Sequence, residues 1–345
     1  MIDTSLQQSE PVALPQRPMG RQVRSVAAYA LLTALMIITP ILVFVPAAVF
    51  HCAIRNGRRA TFAMTAIALI IAAAYINAAH TAQSLMMAWS ALAGVALAVV
   101  VPALAVLPLV ERAERFGRVL VFLLMGSAAG LAITELGSRA LFSFSPFAVQ
   151  VAEAQRSNAQ FIQFYKANGM SPEVIGMMQR WAAYNTFVLP GFLLIMISLV
   201  FILSLLMLGR LKAWRELAAA RGDVDKEALG AYLFRNFALP DWLLFAFIIG
   251  GLTPLATGVL QKVAANTLTV VAFLYILQGL AIFRFFLLAM GAGFAGTMLG
   301  WLLLLFLTLT GVGPLLLGLA GLFDPFFDFR HFKKRKDDSH ESHSD

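Results

Sequence analysis

The segment that decides the class of fold is residues 265–290, ANTLTVVAFLYILQGLAIFRFFLLAM. A helix needs about 20 predominantly apolar residues to cross a bilayer, and this segment is longer than that. It also carries Asn266, Gln278 and Arg284, and an arginine in the middle of a membrane helix costs about 2.5–3.5 kcal/mol on insertion scales. Such polar groups persist where a protein interior or a watery cavity receives them. We therefore predict a central transmembrane helix around which the other spans pack.

The composition of the whole chain extends this prediction to an all-α, polytopic transmembrane bundle. Of 345 residues, 60% are hydrophobic and 13% are charged, whereas a soluble domain is about 25% charged. Repeated apolar runs predict about eight spans, together with broken or half helices. Besides the central segment, the spans are expected at residues 60–79, 85–110, 119–136, 186–208 and 242–260, with a tight pair at 294–323. The formal net charge of +8 lies mostly in loops and chain ends. This is typical of the Lys/Arg excess on the cytoplasmic face and argues for the lipid bilayer, not nucleic acid, as the partner.

The distribution of charge predicts three regions. Residues 1–25 form a disordered basic arm, residues 26–323 the transmembrane helical domain, and residues 324–345 a charged tail. Within the membrane domain, residues 138–183 are predicted to form periplasmic amphipathic helices. Residues 210–238 are predicted to form two cytoplasmic helices, over 211–221 and 226–237. The expected location is a bacterial inner membrane, with both the N-terminus and the C-terminus in the cytoplasm.

The first apolar run has basic residues on both flanks. It is interrupted by Pro40 and Pro46 and is followed by Arg55, Arg58 and Arg59. Two short half-helices broken at Pro40 would place both basic flanks on the cytoplasmic side. The alternative is one kinked span that violates the charge rule.

The long segment 138–183 contains a helix stop at Asn168-Gly169 and a helix start at Ser171-Pro172-Glu173. Apolar side chains recur at helical spacing on both sides of this break. Two amphipathic helices here could lie on the membrane surface or cover a cavity, either as a fixed roof or as a moving lid.

Polar side chains in or near the predicted spans are the candidate substrate or pocket residues. They are Gln278, Asn266, Asn77, Asn185, Glu135 and Arg284.

Each of these residues has a functional and a structural interpretation. Gln278 either lines a site or makes an interhelical hydrogen bond. Arg284 either faces a cavity or extends to the cytoplasmic headgroups. Glu135 is either a proton or ligand site or the partner of Arg139 at i,i+4. The topology places Glu135 and Arg284 at opposite ends of their spans, so we do not expect them to pair.

Asn77 and Asn185 also lie near the outer ends of spans. They could share one polar pocket with Glu135 beneath the amphipathic helices.

Asp324, Asp328 and Arg330 form a second group of charges, at the end of the membrane domain. Carboxylates at i,i+4 can share a metal, but we interpret these three residues as a structural cap that anchors the last helix. The single cysteine, Cys52, excludes an intrachain disulfide and a Cys-rich metal site. No catalytic or nucleotide-binding motif occurs. We therefore expect no enzyme activity, no cofactor and no ATPase within this chain.

Short motifs in the C-terminal third resemble the YybS-like family of predicted bacterial membrane proteins, also called domain of unknown function 2232. These motifs are Leu239-Pro240 with Trp242, Gln278-Gly279-Leu280, Gly321-Leu322-Phe323-Asp324 and Asp328-Phe329-Arg330. The resemblance covers about residues 25–330. The family has no assigned activity and is distantly similar to the substrate-binding subunits of energy-coupling-factor transporters. That similarity implies that a small-residue pair such as Ala30-x-x-x-Ala34 docks a partner.

Two functions remain open after these observations, and a third, an intramembrane enzyme, would need convergent catalytic side chains that the sequence does not show. The first is a small-solute transporter or a substrate-binding transporter component, with an ATPase, a transmembrane coupling protein or another membrane protein as partner. It predicts a polar cavity that touches Gln278. The alternative is a non-transporting membrane scaffold for envelope assembly or protein partners, which predicts a dry bundle with an exposed apolar groove.

Overall fold

The computed structural model describes residues 19–39, 41–219, 232–327 and 329–330. All regular secondary structure within these ranges is helical. Pro40, Asp328, and most of the predicted N-terminal arm and C-terminal tail lie outside the described residues. The fifteen α-helices there are α1 Met19–Ile38, α2 Val45–Asn56, α3 Arg58–Ala79, α4 Ala82–Val95, α5 Val101–Ala105, α6 Leu107–Glu111, α7 Phe116–Phe142, α8 Pro146–Ala167, α9 Pro172–Phe187, α10 Leu189–Arg210, α11 Lys212–Ala219, α12 Leu243–Gly251, α13 Gly258–Ala289, α14 Phe294–Leu309 and α15 Val312–Phe327.

Five of these helical segments are long and apolar enough to cross a membrane. They are α3, the run Ser84–Glu111, α7, α10 and α13. The pair α14–α15 meets at an angle of 108° and makes six if it is one broken span. The chain is therefore a polytopic helical membrane protein with fewer long spans than the expected number of about eight.

The lower number has a local cause at residues 242–260, which the sequence predicted to be one span. Helix α12 ends at Gly251, and a 3₁₀ turn at Thr253–Leu255 follows before α13 begins. Adjacent glycines and Pro254 disfavour a continuous helix. Residues 294–323 were predicted as a tight pair, and they form the two separate helices α14 and α15, of 16 residues each.

The first apolar run forms a hairpin. The Gln22 side chain donates to the Asn56 carbonyl at 3.1 Å, and the Asn56 amide donates to Ser25 Oγ at 3.2 Å. The start of α1 therefore lies beside the end of α2, as predicted for two half-helices and not for one kinked span. Ala30 and Ala34 are each 1% exposed. This small-residue face of α1 is thus already covered within the chain and is not open to the docking that the transporter resemblance implies.

The run Ser84–Glu111 contains a π-helical turn at Ala96–Val100. Pro102 has no N–H group, so it cannot donate to the Ala98 carbonyl four residues earlier. The hydroxyl of Ser127 on α7 donates to that carbonyl at 2.6 Å. A Cβ on Gly130 would lie 2.1 Å from the Leu97 carbonyl oxygen. The two backbones therefore approach each other at the Gly126-x-x-x-Gly130 pair, as small residues permit.

At the other end of this run, Glu111 forms an ion pair with Arg58 at the start of α3. The N-terminal end of α3 and the C-terminal end of α6 therefore lie together, so α3 and the run Ser84–Glu111 cross the bundle in opposite directions.

An aromatic cluster lies where α10 ends and α11 begins. Trp214 stacks on Tyr232 with ring centroids 4.7 Å apart, and Phe116 makes edge contacts with Tyr232 and Phe237. All four side chains are 1% exposed. Burial raises the pKa of the Tyr232 hydroxyl well above its ordinary value.

The chain beyond Tyr232 differs from the sequence prediction. Its described part forms a 3₁₀ turn at Phe234–Asn236 and then extended backbone, where a helix over 226–237 was predicted. Residues 226–231 of that prediction lie outside the described residues.

Candidate functional site

The site is built on the contact between α13 and α15, which is the most extensive helix–helix contact among the described residues. Gly279 and Gly321 make that contact possible. A Cβ on Gly279 would lie 1.9 Å from the Leu317 carbonyl oxygen, and one on Gly321 would lie 2.0 Å from the Tyr275 carbonyl oxygen. No side chain fits at either distance, so glycine allows the two backbones to touch.

An apolar cavity of about 290 Å³ lies where α14 meets this helix pair. From α13 it takes residues at i, i+3, i+4 and i+7, which share one helix face. Every wall residue is apolar, and the walls are Gly279, Ile282, Phe283 and Phe286 of α13, Leu303, Leu304 and Leu307 of α14, Gly313, Leu316, Leu317 and Ala320 of α15, and Phe329.

A buried polar contact lies at one end of this cavity. Gln278 precedes the wall residue Gly279 and is 2% exposed. Its Nε2 donates to Asp324 Oδ2 at 2.9 Å, and its Oε1 accepts a hydrogen bond from the Leu239 N–H at 3.1 Å. The side chain of Gln278 thus joins α13, α15 and the segment before α12. These contacts agree with the structural interpretation of Gln278, in which its side chain makes an interhelical hydrogen bond.

Arg330 extends the same group of contacts. Its Nη2 donates to the Phe237 carbonyl at 2.6 Å and lies 3.5 Å from Asp324 Oδ2. Asp324 and Arg330 are mostly buried, with side-chain exposures of 9% and 15%. The structure therefore brings Gln278, Asp324 and Arg330 together, a grouping that the sequence analysis did not predict. Asp328, the third member of the predicted cap, lies outside the described residues.

Asn266 lies elsewhere, at the junction between α9 and α10. Its Oδ1 accepts a hydrogen bond from the Gly191 N–H at 2.6 Å, and its Nδ2 donates to the Lys262 and Phe187 carbonyls. The first N–H groups of a helix have no partner within the helix. Asn266 satisfies one of them for α10 and ties α13 to this junction.

Glu135 plays a similar part at the junction between α7 and α8. Its carboxylate accepts hydrogen bonds from Arg139, from the Ser145 hydroxyl and from the Phe147 N–H. Ser145 is the N-cap of α8, and its Oγ accepts a hydrogen bond from the Ala148 N–H. The contact with Arg139 is the i,i+4 ion pair that the structural interpretation of Glu135 predicted.

The remaining candidates lie apart from one another. Asn77 accepts a hydrogen bond from the Trp89 indole at 3.3 Å, across the turn between α3 and α4. Asn185 is half-buried in α9, and Arg284 is exposed on α13. The described contacts do not join Asn77, Asn185 and Glu135 into the shared pocket that the sequence suggested.

The polar candidate residues do not reveal this cavity, because none of them lies in its wall. The available signal was the small residues Gly279, Gly313 and Ala320 within long apolar helices, where missing side-chain volume leaves space. A second apolar cavity, of about 300 Å³, lies between α3 and α4 beside Trp89 and also has no polar wall.

Comparison with known proteins identifies one family. Nothing matches the chain among curated proteins or solved structures. A family model described as a predicted membrane protein, DUF2232, matches residues 26–325. The matched region includes Leu239, Gln278, Gly279, Gly321 and Asp324, which meet at the α13–α15 contact. The chain therefore belongs to the DUF2232 family of predicted membrane proteins.

Proposed function

We propose that this protein is a non-catalytic, substrate-binding component of the bacterial inner membrane, and that its ligand is an apolar chain that enters the cavity between α13, α14 and α15 from the bilayer. The observation that carries the proposal is the cavity wall, which is apolar throughout. A ligand site for a polar solute would present a few converging polar groups.

The size of the cavity supports a slender ligand. A volume of about 290 Å³ is roughly twice that of an apolar cavity known to admit benzene. A helix is about 10–12 Å across with its side chains, which is too wide for such a space. An acyl chain or a similar hydrocarbon fits the size and the chemistry of the walls, and the surrounding bilayer supplies such chains.

The buried polar groups support the same conclusion. Gln278 is buried and uses both ends of its amide within the protein, so it does not present its amide to a solute. A transport cycle based on this site would therefore draw its ligand from lipid and its energy from a separate membrane subunit, such as an ATPase complex. The face that carries Ala30 and Ala34 does not serve as the contact with that subunit, since it is buried.

The second candidate is a membrane scaffold that binds protein partners. It is favoured by the same internal use of polar groups, because a dry bundle needs no path for a solute. The two candidates differ in one measurable property, which is the saturable binding of a hydrocarbon chain.

The test uses cis-parinaric acid, a fluorescent acyl-chain probe, with the full chain purified in detergent. Trp301 lies beside the cavity, in edge contact with the wall residue Phe283, and can transfer energy to the bound probe. Ala320→Leu fills the cavity, and Ala295→Leu adds the same volume at an exposed position of α14. Overpacking costs about 1–3 kcal/mol, so we expect Ala320→Leu to weaken binding about tenfold or more, while Ala295→Leu binds as the natural protein does.

Leu304→Phe is a second cavity-filling variant, for use if Ala320→Leu does not give a monodisperse protein. Equal binding by a folded cavity-filling variant and the control would overturn the assignment of the site. Failure of the natural protein to bind the probe would favour the scaffold.

A further inference from the structure

One face of α9 presents large apolar side chains to the surroundings. Met177, Trp181 and Tyr184 recur at i, i+4 and i+7 and are 58%, 66% and 55% exposed. Ile175 is buried and Val174 and Met178 are half-buried, and α9 packs mainly against α8. The apolar side chains that recur along α9 are therefore divided between an inner face, which packs on α8, and this outer face, which is exposed.

Both ends of the α8–α9 hairpin are fixed to the membrane-spanning helices. At the start of α8, Ser145 and Phe147 donate to Glu135 of α7. At the end of α9, the Phe187 carbonyl accepts a hydrogen bond from Asn266 of α13. A single residue, Val188, separates α9 from α10. The hairpin is thus held at the level where the spans begin.

We propose that the outer face of α9 lies in the headgroup layer of the bilayer and anchors the α8–α9 hairpin to that surface. The distance along the chain supports this occupant. Tyr184 precedes the first residue of α10 by five positions, which is at most about 7.5 Å of helix. The headgroup layer is about 5–8 Å deep on each side of the hydrocarbon.

The residue types support the same occupant. Tryptophan and tyrosine concentrate at membrane–water interfaces, where one part of the ring system is apolar and the other is wet. The charges of the two helices nearly cancel, with Arg156, Lys166 and Arg180 against Glu153 and Glu173. Contact with the surface therefore depends on apolar insertion and not on anionic lipid.

The experiment places spin labels on the full chain in nanodiscs of zwitterionic phosphatidylcholine. Met177→Cys and Trp181→Cys label the proposed lipid face, and Gln179→Cys labels an exposed position on another side of the same helix. The natural Cys52 is buried, and a mock-labelled natural chain measures its background. We expect the ratio of oxygen to nickel-chelate accessibility to be several-fold higher at 177 and 181 than at 179.

Two results would overturn the proposal. Equal nickel-chelate accessibility at all three positions would place the face in water. Protection of 177 and 181 from both reagents would mean that protein covers them. A repeat with one-third phosphatidylglycerol should leave the ratios unchanged, and a lipid contact that forms only in these anionic discs would contradict anchoring by apolar insertion. Met177→Cys alone still decides the outcome if Trp181→Cys does not fold.

Discussion

Gln278 Nε2 donates to Asp324 Oδ2 across the α13–α15 contact at a distance of 2.9 Å. The two residues are 46 positions apart in the chain, and both are at least nine-tenths buried. Gln278 also accepts a hydrogen bond from the Leu239 N–H. A single amide thus satisfies polar groups of two other segments, and its removal would leave both of them buried without this partner.

Gln278→Leu should therefore destabilise the protein. Each buried group left unsatisfied costs about 1–3 kcal/mol, so we expect a clear fall in the midpoint of thermal unfolding in detergent. Arg284→Lys is the control on the same helix, because Arg284 is exposed and the substitution keeps its charge. Equal midpoints for the two variants would mean that the Gln278 contacts contribute little.

Glycines of α15 should differ sharply in their tolerance of alanine. A Cβ on Gly321 meets the Tyr275 backbone at 2.0 Å, whereas one on Gly318 meets only the Ile276 side chain, at 3.5 Å. Gly321→Ala should therefore separate the helices at a cost of about 1–3 kcal/mol or more, while Gly318→Ala should be tolerated. Thermal unfolding and gel-filtration profiles of the two variants provide the comparison.

Tyr232 should make stability depend on alkaline pH. Burial raises the pKa of its hydroxyl above the ordinary value of 10, so the folded protein keeps the neutral form while the unfolded chain ionises. The associated stability is fully present below pH 10 and is lost as the pH rises from there toward the folded-state pKa.

Tyr232→Phe should remove this part of the alkaline loss, as measured by unfolding from pH 7 to pH 11. The hydroxyl has no hydrogen-bond partner among the described residues, so the variant should match the natural protein at pH 7. A large loss of stability at neutral pH would contradict this account of the aromatic cluster.

Glu135 should control the order of the first turns of α8. Glu135→Ala removes the acceptor of the Ser145 hydroxyl and the Phe147 N–H, so amide exchange at the start of α8 should accelerate. Glu153→Ala, at an exposed position in the same helix, should leave exchange there unchanged. Mass-resolved hydrogen exchange of peptides that cover residues 143–150 measures the difference, and unchanged exchange in Glu135→Ala would exclude this anchor.

Reporter fusions test the orientation of the chain. Helix α10 lies between Gly169 and Ala219 and is long enough to cross the membrane. A reporter after Gly169 should read as periplasmic and one after Ala219 as cytoplasmic, following the Arg/Lys excess near α11. The reverse pattern would invert the predicted topology. If both reporters were on the same side of the membrane, α10 would not cross it.

The sequence predicted most of the architecture because membrane spans have a strong and local signal. Long apolar runs identified α3, α7, α10 and α13, and basic flanks led to the prediction of the α1–α2 hairpin. The prediction was least accurate where apolar segments are short or interrupted, as at α12 and α14–α15. Composition there does not distinguish one tilted span from two shorter helices, since tertiary contacts decide between them.

The candidate site was less accessible to prediction. The sequence marked three of its residues as candidates, Gln278, Asp324 and Arg330. Their convergence depends on which helices pack together, and the periodicity of a single helix does not contain that information. The cavity escaped notice for a different reason. A cavity arises from the combined shape of three helices, whereas each wall residue by itself is an apolar side chain like many others in membrane helices.

The π turn at Ala96–Val100 makes this span sensitive to the number of its residues. Such a turn accommodates one residue more than a regular α-helix, and each residue advances a helix by about 100°. Deleting one residue between Ala98 and Pro102 would let the helix become regular and would rotate the part of the helix beyond it by about that angle. Glu111 would then swing away from Arg58, while Ser127 would face a carbonyl no longer left open by Pro102. The number of residues in this one turn therefore fixes the rotation of the helix beyond it, and with it the contact between Glu111 and Arg58.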